Sequence, residues 1–357
     1  MRIFFKILLI VIFFINSNEL KASSLFDSLN LAYLNNTKLN AERASMRASL
    51  EDKKESISEF LPSIIISGYV SEQDNTNTGI DTSFSPSEQS VIVEQKIFQG
   101  FGGVANFNKK KHALNLAKFK LKKIEQEVLL AAAKAHTMLL LNSKKVDINL
   151  INIDLLERQV ESDQNRLEKG EISLADSAQS EASLSGANAK LIAVQNDLVT
   201  SKANFEKIIG KKLSNSIVET KETKLNLPKS LAEAIRIANT ENPDLQISFF
   251  EYEQAKADVM IAGSDLSPSA TLSYKIAEQE NFSSSIKDRT QKTVTASATW
   301  PLFSGGKNLF NLKKNQELRN HKELLLEDSK KTVETSVANI WSNYKSSKSV
   351  LDSIKSQ

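Results

Sequence analysis

The chain has no cysteine, so no disulfide staples it and no lipid can be attached at an N-terminal Cys. Proline (6) and glycine (11) are scarce in 357 residues, which argues against a loop-rich fold and favours long helices. Basic and acidic residues nearly balance, 46 against 43, so the net charge of +3 is too small to point to nucleic acid. Beyond the N-terminus no stretch approaches 18 consecutive apolar residues, which leaves no candidate membrane-spanning helix. The three histidines, His112, His136 and His321, have no Cys partner and no second His at metal-ligand spacing. Gly100-Phe101-Gly102-Gly103 lacks the Lys-Ser/Thr of a phosphate loop and reads as a strand-to-helix turn. No catalytic constellation, cofactor site or metal site is expected, and the chain does not read as an enzyme.

What is present begins with an export signal. Arg2 and Lys6 precede an apolar run from Ile7 to Ile15, too short to span a bilayer, and Leu20-Lys21-Ala22 offers a cleavage site. Residues 1–22 are therefore expected to be a signal peptide.

The rest of the chain contains itself twice. Ser24-Leu25 recurs as Ser230-Leu231, and the register holds through Ala32/Ala238, Asn36/Asn242, Leu39/Leu245 and Pro62/Pro268. One residue shorter, it resumes at Phe98/Phe303, Gly100/Gly305 and Val128/Val333, and pairs His136 with Trp341 at what reads as a packing position. Such a long repeat is a duplicated half-molecule rather than a solenoid unit. The expected boundaries are 23–211 for the first repeat, 212–228 for a polar connector and 229–357 for the second repeat. In each repeat the signals follow one order: helix, Pro-marked break, two strands, Phe-x-Gly turn, very long helix.

The helices show as apolar residues spaced three and four apart. One seam runs Leu114, Ala117, Leu121, Ile124, Val128, Ala131, Ala135, Met138; others run Leu184 to Ile208, Val333 to Ile354, and more weakly Leu25 to Ile57. The helix after Gly103 has no stop signal before about Gly170, so about 60 residues would span about 90 Å. A returning helix is expected to end at Gly210. The strands show as alternation: Ala270, Leu272, Tyr274 and Ile276 against Thr271, Ser273 and Lys275, and Val294 to Leu302 against Thr293 to Thr299. The first half repeats this less cleanly at Ser63–Val70 and Val91–Phe98, and polar loops are expected at 71–87 and 278–291. The length and one-sided polarity suit transmembrane β-strands, with Tyr69, Phe98, Trp300 and Phe303 at an interfacial girdle. Half-buried hairpins of a soluble domain would give a similar pattern. In lipid, however, four strands cannot close a barrel, for which about eight are the practical minimum. Open edges there cost several kcal/mol per unpaired group, so the membrane reading requires oligomers.

These features together resemble the TolC-like outer membrane factors, the outer membrane efflux proteins. The most specific residues are Asn242-Pro243-Asp244-Leu245, Leu61-Pro62-Ser63 with Ser267-Pro268-Ser269, and Gln95-Lys96-Ile97-Phe98-Gln99-Gly100 with Trp300-Pro301-Leu302-Phe303-Ser304-Gly305-Gly306. The resemblance covers the whole mature chain. It implies an α+β membrane protein with long antiparallel helical hairpins forming an α-barrel, and four transmembrane strands per chain in a shared twelve-stranded trimeric β-barrel. It further implies a passive duct of a tripartite efflux pump or type I secretion system, located in the outer membrane and extending into the periplasm. The implied partners are two further copies, a periplasmic adaptor, an inner-membrane transporter and outer membrane lipid. A collar would come from residues 23–57 and about 205–245. The turn around Arg166 and Gly170, followed by Asp176, looks like the adaptor-docking tip; equally, these residues could only shape the turn. The Lys109-Lys110-Lys111 run could touch lipid headgroups or be solvated surface. Gln357 aligns near Asn152, midway along the first long helix, so the sequence reads as a fragment, or else as a truncated variant, lacking the second tip and the gating residues that the resemblance implies there. A periplasmic adaptor or a soluble coiled-coil protein is the alternative, but neither explains the duplicated strand pairs.

Overall fold

The computed structural model describes residues 24–77, 80–212, 217–219, 227–283 and 286–356. The expected signal peptide and most of the expected connector lie outside them. Contacts divide the chain into two units, Met1–Glu42 with Ile124–Asn226, and Arg43–Lys123 with Leu227–Gln357.

In chain order the helices and strands are α1 (Leu25–Asn35), α2 (Thr37–Glu55), a 3-10 turn (Ser56–Phe60), β1 (Ser63–Val70), β2 (Gln73–Asn77), β3 (Ile80–Phe84) and β4 (Ser87–Gln99). There follow α3 (Gly102–Glu168), α4 (Leu174–Ile209), α5 (Leu231–Glu241), α6 (Pro243–Ser264), β5 (Ser269–Glu280), β6 (Asp288–Thr299) and α7 (Lys307–Lys355). Helix α3 has 67 residues, about 100 Å at 1.5 Å each. The weak Leu25–Ile57 seam is two helices and a 3-10 turn rather than one helix. Asn36 breaks it: extended backbone (φ −62°, ψ 123°) ends α1 by donating its N–H to Ala32 O, while its side-chain oxygen accepts from Leu39 N at 3.0 Å. Asn242 does the same between α5 and α6 (φ −64°, ψ 124°), with its N–H on Ala238 O and its Oδ1 accepting from Asp244 N and Leu245 N. An Asn cap lets the chain turn without orphaning the first N–H groups of the next helix.

The first unit packs α1 and the start of α2 with α3 and α4. Ser28, Ala32, Leu39, Ala132, Ala135, His136, Leu139, Phe205 and Ile209 are all buried there. Ser28 Oγ and His136 Nδ1 share a hydrogen bond of 2.9 Å, and the imidazole lies 6.4 Å from the Phe205 ring. Burial pushes the His136 pKa below its usual value because a charged imidazole is poorly solvated there. Helix α4 ends on Gly210, in left-handed backbone at φ 76°. Its last turn is fixed by Asn36 Nδ2, which donates to Ile208 O at 2.7 Å.

The second unit holds a four-stranded antiparallel sheet in the order β1-β4-β5-β6. Strands β4 and β5 pair from Ser87↔Glu280 to Gln99↔Ser269, so the two halves join through their inner strands. Pairing runs further than the apolar alternation predicts. Strand β4 begins at Ser87, and the expected 71–87 loop contains the β2–β3 hairpin, because backbone hydrogen bonds can continue where side chains turn polar. At the other end β6 stops at Thr299 rather than Leu302, since Pro301 has no N–H to give a ladder. Both strand-to-helix turns use two left-handed residues at equivalent positions, Gly100-Phe101 (φ 57° and 65°) and Gly305-Gly306 (φ 64° and 81°).

Helices α5 and α6 pack against α7. Ion pairs tie the helices of this unit, among them Lys109–Asp258 (2.7 Å), Lys123–Asp244 (2.6 Å) and Lys322–Glu251 (2.7 Å). Lys109 and Lys110 thus face acids on α6 and α2, the latter at 3.7 Å from Asp52, rather than standing free for headgroups. Phe250 stacks on Phe119 at 5.7 Å and lies 6.0 Å from His112, whose pKa burial again pushes down.

The two left-handed glycines at the ends of α3 and α4 test how the first unit is packed. A Cβ on Gly210 would lie 2.4 Å from Asn35 O, whereas one on Gly170 (φ 78°) meets nothing within 4 Å. Gly170→Ala should cost about 1 kcal/mol, the left-handed penalty alone. Gly210→Ala should cost clearly more, because backbone must shift. Thermal unfolding of both variants in detergent checks the order; equal losses would show that the α4 end is not packed on Asn35.

Candidate functional site

The register assigns every sheet residue to a face, because residues paired across strands point the same way. One face carries Ile64, Ile66 and Val70 on β1, Val91 and Val93 on β4, Leu272, Tyr274 and Ile276 on β5, and Val294, Ala296 and Ala298 on β6. Much of this face is uncovered: Ile66 and Val70 are each 80% exposed and Val294 70%. The opposite face carries Ser63, Ser67 and Ser90, then Thr271, Ser273 and Lys275, then Thr293, Thr295, Ser297 and Thr299. On that face Glu88 accepts from Lys275 Nζ at 2.6 Å and from Gln279 Nε2 at 2.7 Å, so its charge is matched inside the sheet. The wall is mostly apolar on one side, where Gln95 and Lys292 also stand, and hydroxyl-rich with paired charges on the other, where Ile65 and Ile92 are apolar members. It can separate hydrocarbon from water, which is the requirement on a membrane barrel strand.

Both outer strands are left with an unpaired edge, since β1 and β6 each have a single neighbour in the sheet. No helix among the described residues is long and apolar enough to cross a membrane. Among the described residues there is also no group of three or more His, Cys, Asp or Glu placed to hold a metal ion.

The four aromatic residues expected at the interface separate. A bulge at Ile97 shifts the register so that Phe98 stands opposite Ala270 on the apolar face, edge-on to Phe101 at 5.4 Å. Trp300 and Phe303 follow the end of β6, at the same end of the sheet as Phe98, and are 61% and 87% exposed. Trp300 Nε1 donates to Leu266 O at 3.1 Å, satisfying the polar tip of an otherwise exposed ring. Tyr69 is different. It is paired with Glu88 and shares parity with Ser63 and Ser67, so it lies on the polar face and at the opposite end of β1. The run Ile64-Ile65-Ile66 hides that parity in the sequence.

The tip between α3 and α4 is built by two local devices. Gly170 N donates to Leu167 O and Glu171 N to Arg166 O, both at 2.9 Å, the paired bonds of a left-handed glycine stop. Ser173 and Asp176 then cap α4 reciprocally: Asp176 N donates to Ser173 Oγ at 3.2 Å, and Ser173 N donates to Asp176 Oδ2 at 3.1 Å. These Ser173 hydrogen bonds, side chain first, hold the Asp176 pKa below the usual carboxylate value. The pattern Ser173-x-x-Asp176 is a capping-box signal. Arg166 is half-exposed between Glu171 (3.5 Å) and Asp163 (3.8 Å). The Glu171 pair is exposed on both sides and contributes little stability, so the guanidinium keeps donors for another acceptor.

A sheet with a largely apolar face, a hydroxyl-rich face and two open edges, in a chain with very long helices, has the makeup of a membrane channel wall. The chain belongs to the outer membrane efflux protein family, whose model matches residues 28–211 and again 234–356, once in each half. It is 22% identical over 322 residues to the outer membrane efflux protein BepC of Brucella suis biovar 1, spanning 90% of this chain and 70% of that one. The fold matches CusC with a TM-score of 0.81 at 13% identity, covering 96% of this chain and 81% of the other. It matches the CmeC outer membrane channel of Campylobacter jejuni with a TM-score of 0.77 at 13% identity, covering 86% and 68%. Family and fold are those of outer membrane channels with a helical periplasmic domain.

Adjacent residues on β6 test the face assignment. Val294→Lys puts a charge on the apolar face and should cost about 2–4 kcal/mol if the position lies near the bilayer midplane. Thr295→Lys, one residue along, should be tolerated. Yield of folded protein in outer membrane fractions reads the difference; equal losses, or the reverse order, would invert the faces.

Proposed function

We propose that three copies of this chain close their sheets into one twelve-stranded barrel and serve as the passive exit duct of a tripartite efflux pump or type I secretion system. The observation that carries this reading is the sheet that is apolar outside, polar inside and unpaired at both edges. Two copies would supply eight strands, a barrel whose interior side chains fill, whereas three supply a lumen. The edge of β6 in one copy pairs with β1 of the next, so each open edge is removed by closure.

The helices support the same reading. On α3 the seam through Ala132, Ala135 and Leu139 is buried, yet a second series, Leu141, Ile148, Ile151 and Leu155, is 45–64% exposed. On α4, Ile192 and Val199 stand 69% and 67% exposed, seven residues apart. A helix with two apolar seams has two neighbours, the condition for a ring of helices rather than an isolated hairpin. The apolar sheet face would meet outer membrane lipid, with Phe98, Trp300 and Phe303 at one boundary. The tip around Gly170 would meet a periplasmic adaptor, with Arg166 as the polar contact and Asp176 holding the end of α4 in shape. Drive for transport would come from an inner-membrane transporter.

Light scattering of the detergent-extracted protein, corrected for bound detergent, tests the assembly. The expected mass is three times that of the chain, from outer membrane fractions. A monomer soluble without detergent would overturn the reading.

A further inference from the structure

Where the sheet meets the helices, the second unit holds an open cavity of about 460 Å³. Its roof is the last row of the polar face, Gln99, Ser269 and Thr299, which stand side by side at the ends of β4, β5 and β6. Its walls are the start of α3 and the end of α6. These two helix ends are in close contact. A Cβ on Gly100 would overlap the Ser267 side chain, and one on Gly102 would lie 2.5 Å from Ser264 Oγ. The cavity is therefore shaped by tight packing at glycines, with little room for its walls to shift. Its volume suits a small organic molecule.

Two carboxylates line the cavity, Glu59 and Asp265, which occupy the same position in the two halves of the internal repeat. One precedes β1 and the other β5, and the sheet order β1-β4-β5 brings both to one place. Glu59 Oε1 accepts from Asn106 Nδ2, which holds the half-buried carboxylate in position. Among the described residues Glu59 Oε2 has no donor, and neither has the Asp265 carboxylate. No lysine or arginine lines the cavity, and neither acid forms an ion pair among the described residues. Glu88, further along the same face, is by contrast matched by Lys275 at 2.6 Å. The cavity thus holds two negative charges that the chain leaves unneutralised, beside hydroxyl groups that can also accept.

We infer that this cavity binds a small organic cation, an ammonium or guanidinium on a short carbon body. The charged head sits between Glu59 Oε2 and Asp265, with the Ser269 and Thr299 hydroxyls as further acceptors. Ile261 and Pro301 give the carbon body apolar contact. A metal ion is the poorer occupant. No three His, Cys, Asp or Glu converge to hold one among the described residues, and the cavity would leave a bare ion mostly in water. The site needs one chain only. That it faces the passage of a duct rests on the assembly proposed above, in which the polar face is the inner wall. Three such sites would then ring the lumen where the helices give way to the strands.

The probe is 4-amino-TEMPO, a nitroxide that is an ammonium ion at neutral pH, titrated into the full chain in detergent and followed by electron paramagnetic resonance. The expected result is a saturable immobilised component that the uncharged 4-hydroxy-TEMPO does not give. Glu59→Gln, which keeps the acceptor for Asn106, and Asp265→Asn should each weaken binding about three- to tenfold, the range for one partly exposed hydrogen-bonding partner. The two together should abolish saturation. Glu94→Gln, elsewhere on the polar face, should leave binding unchanged. No saturable component up to millimolar probe, an equal component from the uncharged nitroxide, or binding that survives the double variant would overturn the inference. So would an equal loss in Glu94→Gln, which would mean diffuse attraction by the whole face. The signal is read per chain, whatever the oligomer mass, so failure of the site and failure of the assembly are told apart.

Discussion

The backbone groups along the open edges of β1 and β6 govern what this protein can be. In water an unpaired edge is a liability; in hydrocarbon it costs several kcal/mol for each unsatisfied N–H or C=O. The apolar face of the sheet places these strands in hydrocarbon, and the sheet order leaves both edges open. The single chain is therefore not a stable unit in its own membrane. If the missing hydrogen bonds come from the opposite edges of further copies, closure in a ring is the arrangement that leaves none over. The polar face then becomes the inner wall of that ring.

Duplication gives this solution economically. Each half supplies a strand pair, and the inner strands β4 and β5 zip together, so one chain presents a continuous wall with β1 and β6 at its margins. The same local devices recur in both halves. Asn36 and Asn242 split helices at matched positions, and two left-handed residues turn each strand pair into its long helix. The halves have diverged where their neighbours differ. His136 is hydrogen-bonded to Ser28 and lies near Phe205, whereas the matched Trp341 lines an open apolar groove.

Much of this was legible in the sequence because the signals were backbone rules. Gly170 and Gly210 stop helices through left-handed geometry, and Thr/Ser alternation on β5 and β6 shows one polar face. The signals that failed depended on pairing. Three consecutive isoleucines on β1 mask which parity faces water, so Tyr69 was expected at a lipid interface and stands on the polar face. The bulge at Ile97, which turns Phe98 to the apolar face, follows from the register with β5 and has no local signature. The Asn36 break was hidden because apolar spacing continues across it, although the matched Asn242-Pro243 pair marks the same break openly. At the tip, the Ser173-x-x-Asp176 spacing is itself a local capping signal, and the Asp176 carboxylate bonds Ser173.

The central claim is that β6 of one copy pairs with β1 of another and that the series closes at three. The chain has no native cysteine, which gives a clean background. Ser67→Cys on β1 should be combined in turn with Thr293→Cys, Thr295→Cys or Ser297→Cys on β6, all on the polar face, and oxidised in native outer membranes. Disulfides form only between residues whose Cβ atoms come within about 4.5 Å. The account predicts covalent dimers and trimers, and nothing larger, in at least one of these registers. Monomers in every register, or a ladder running beyond three, would contradict it.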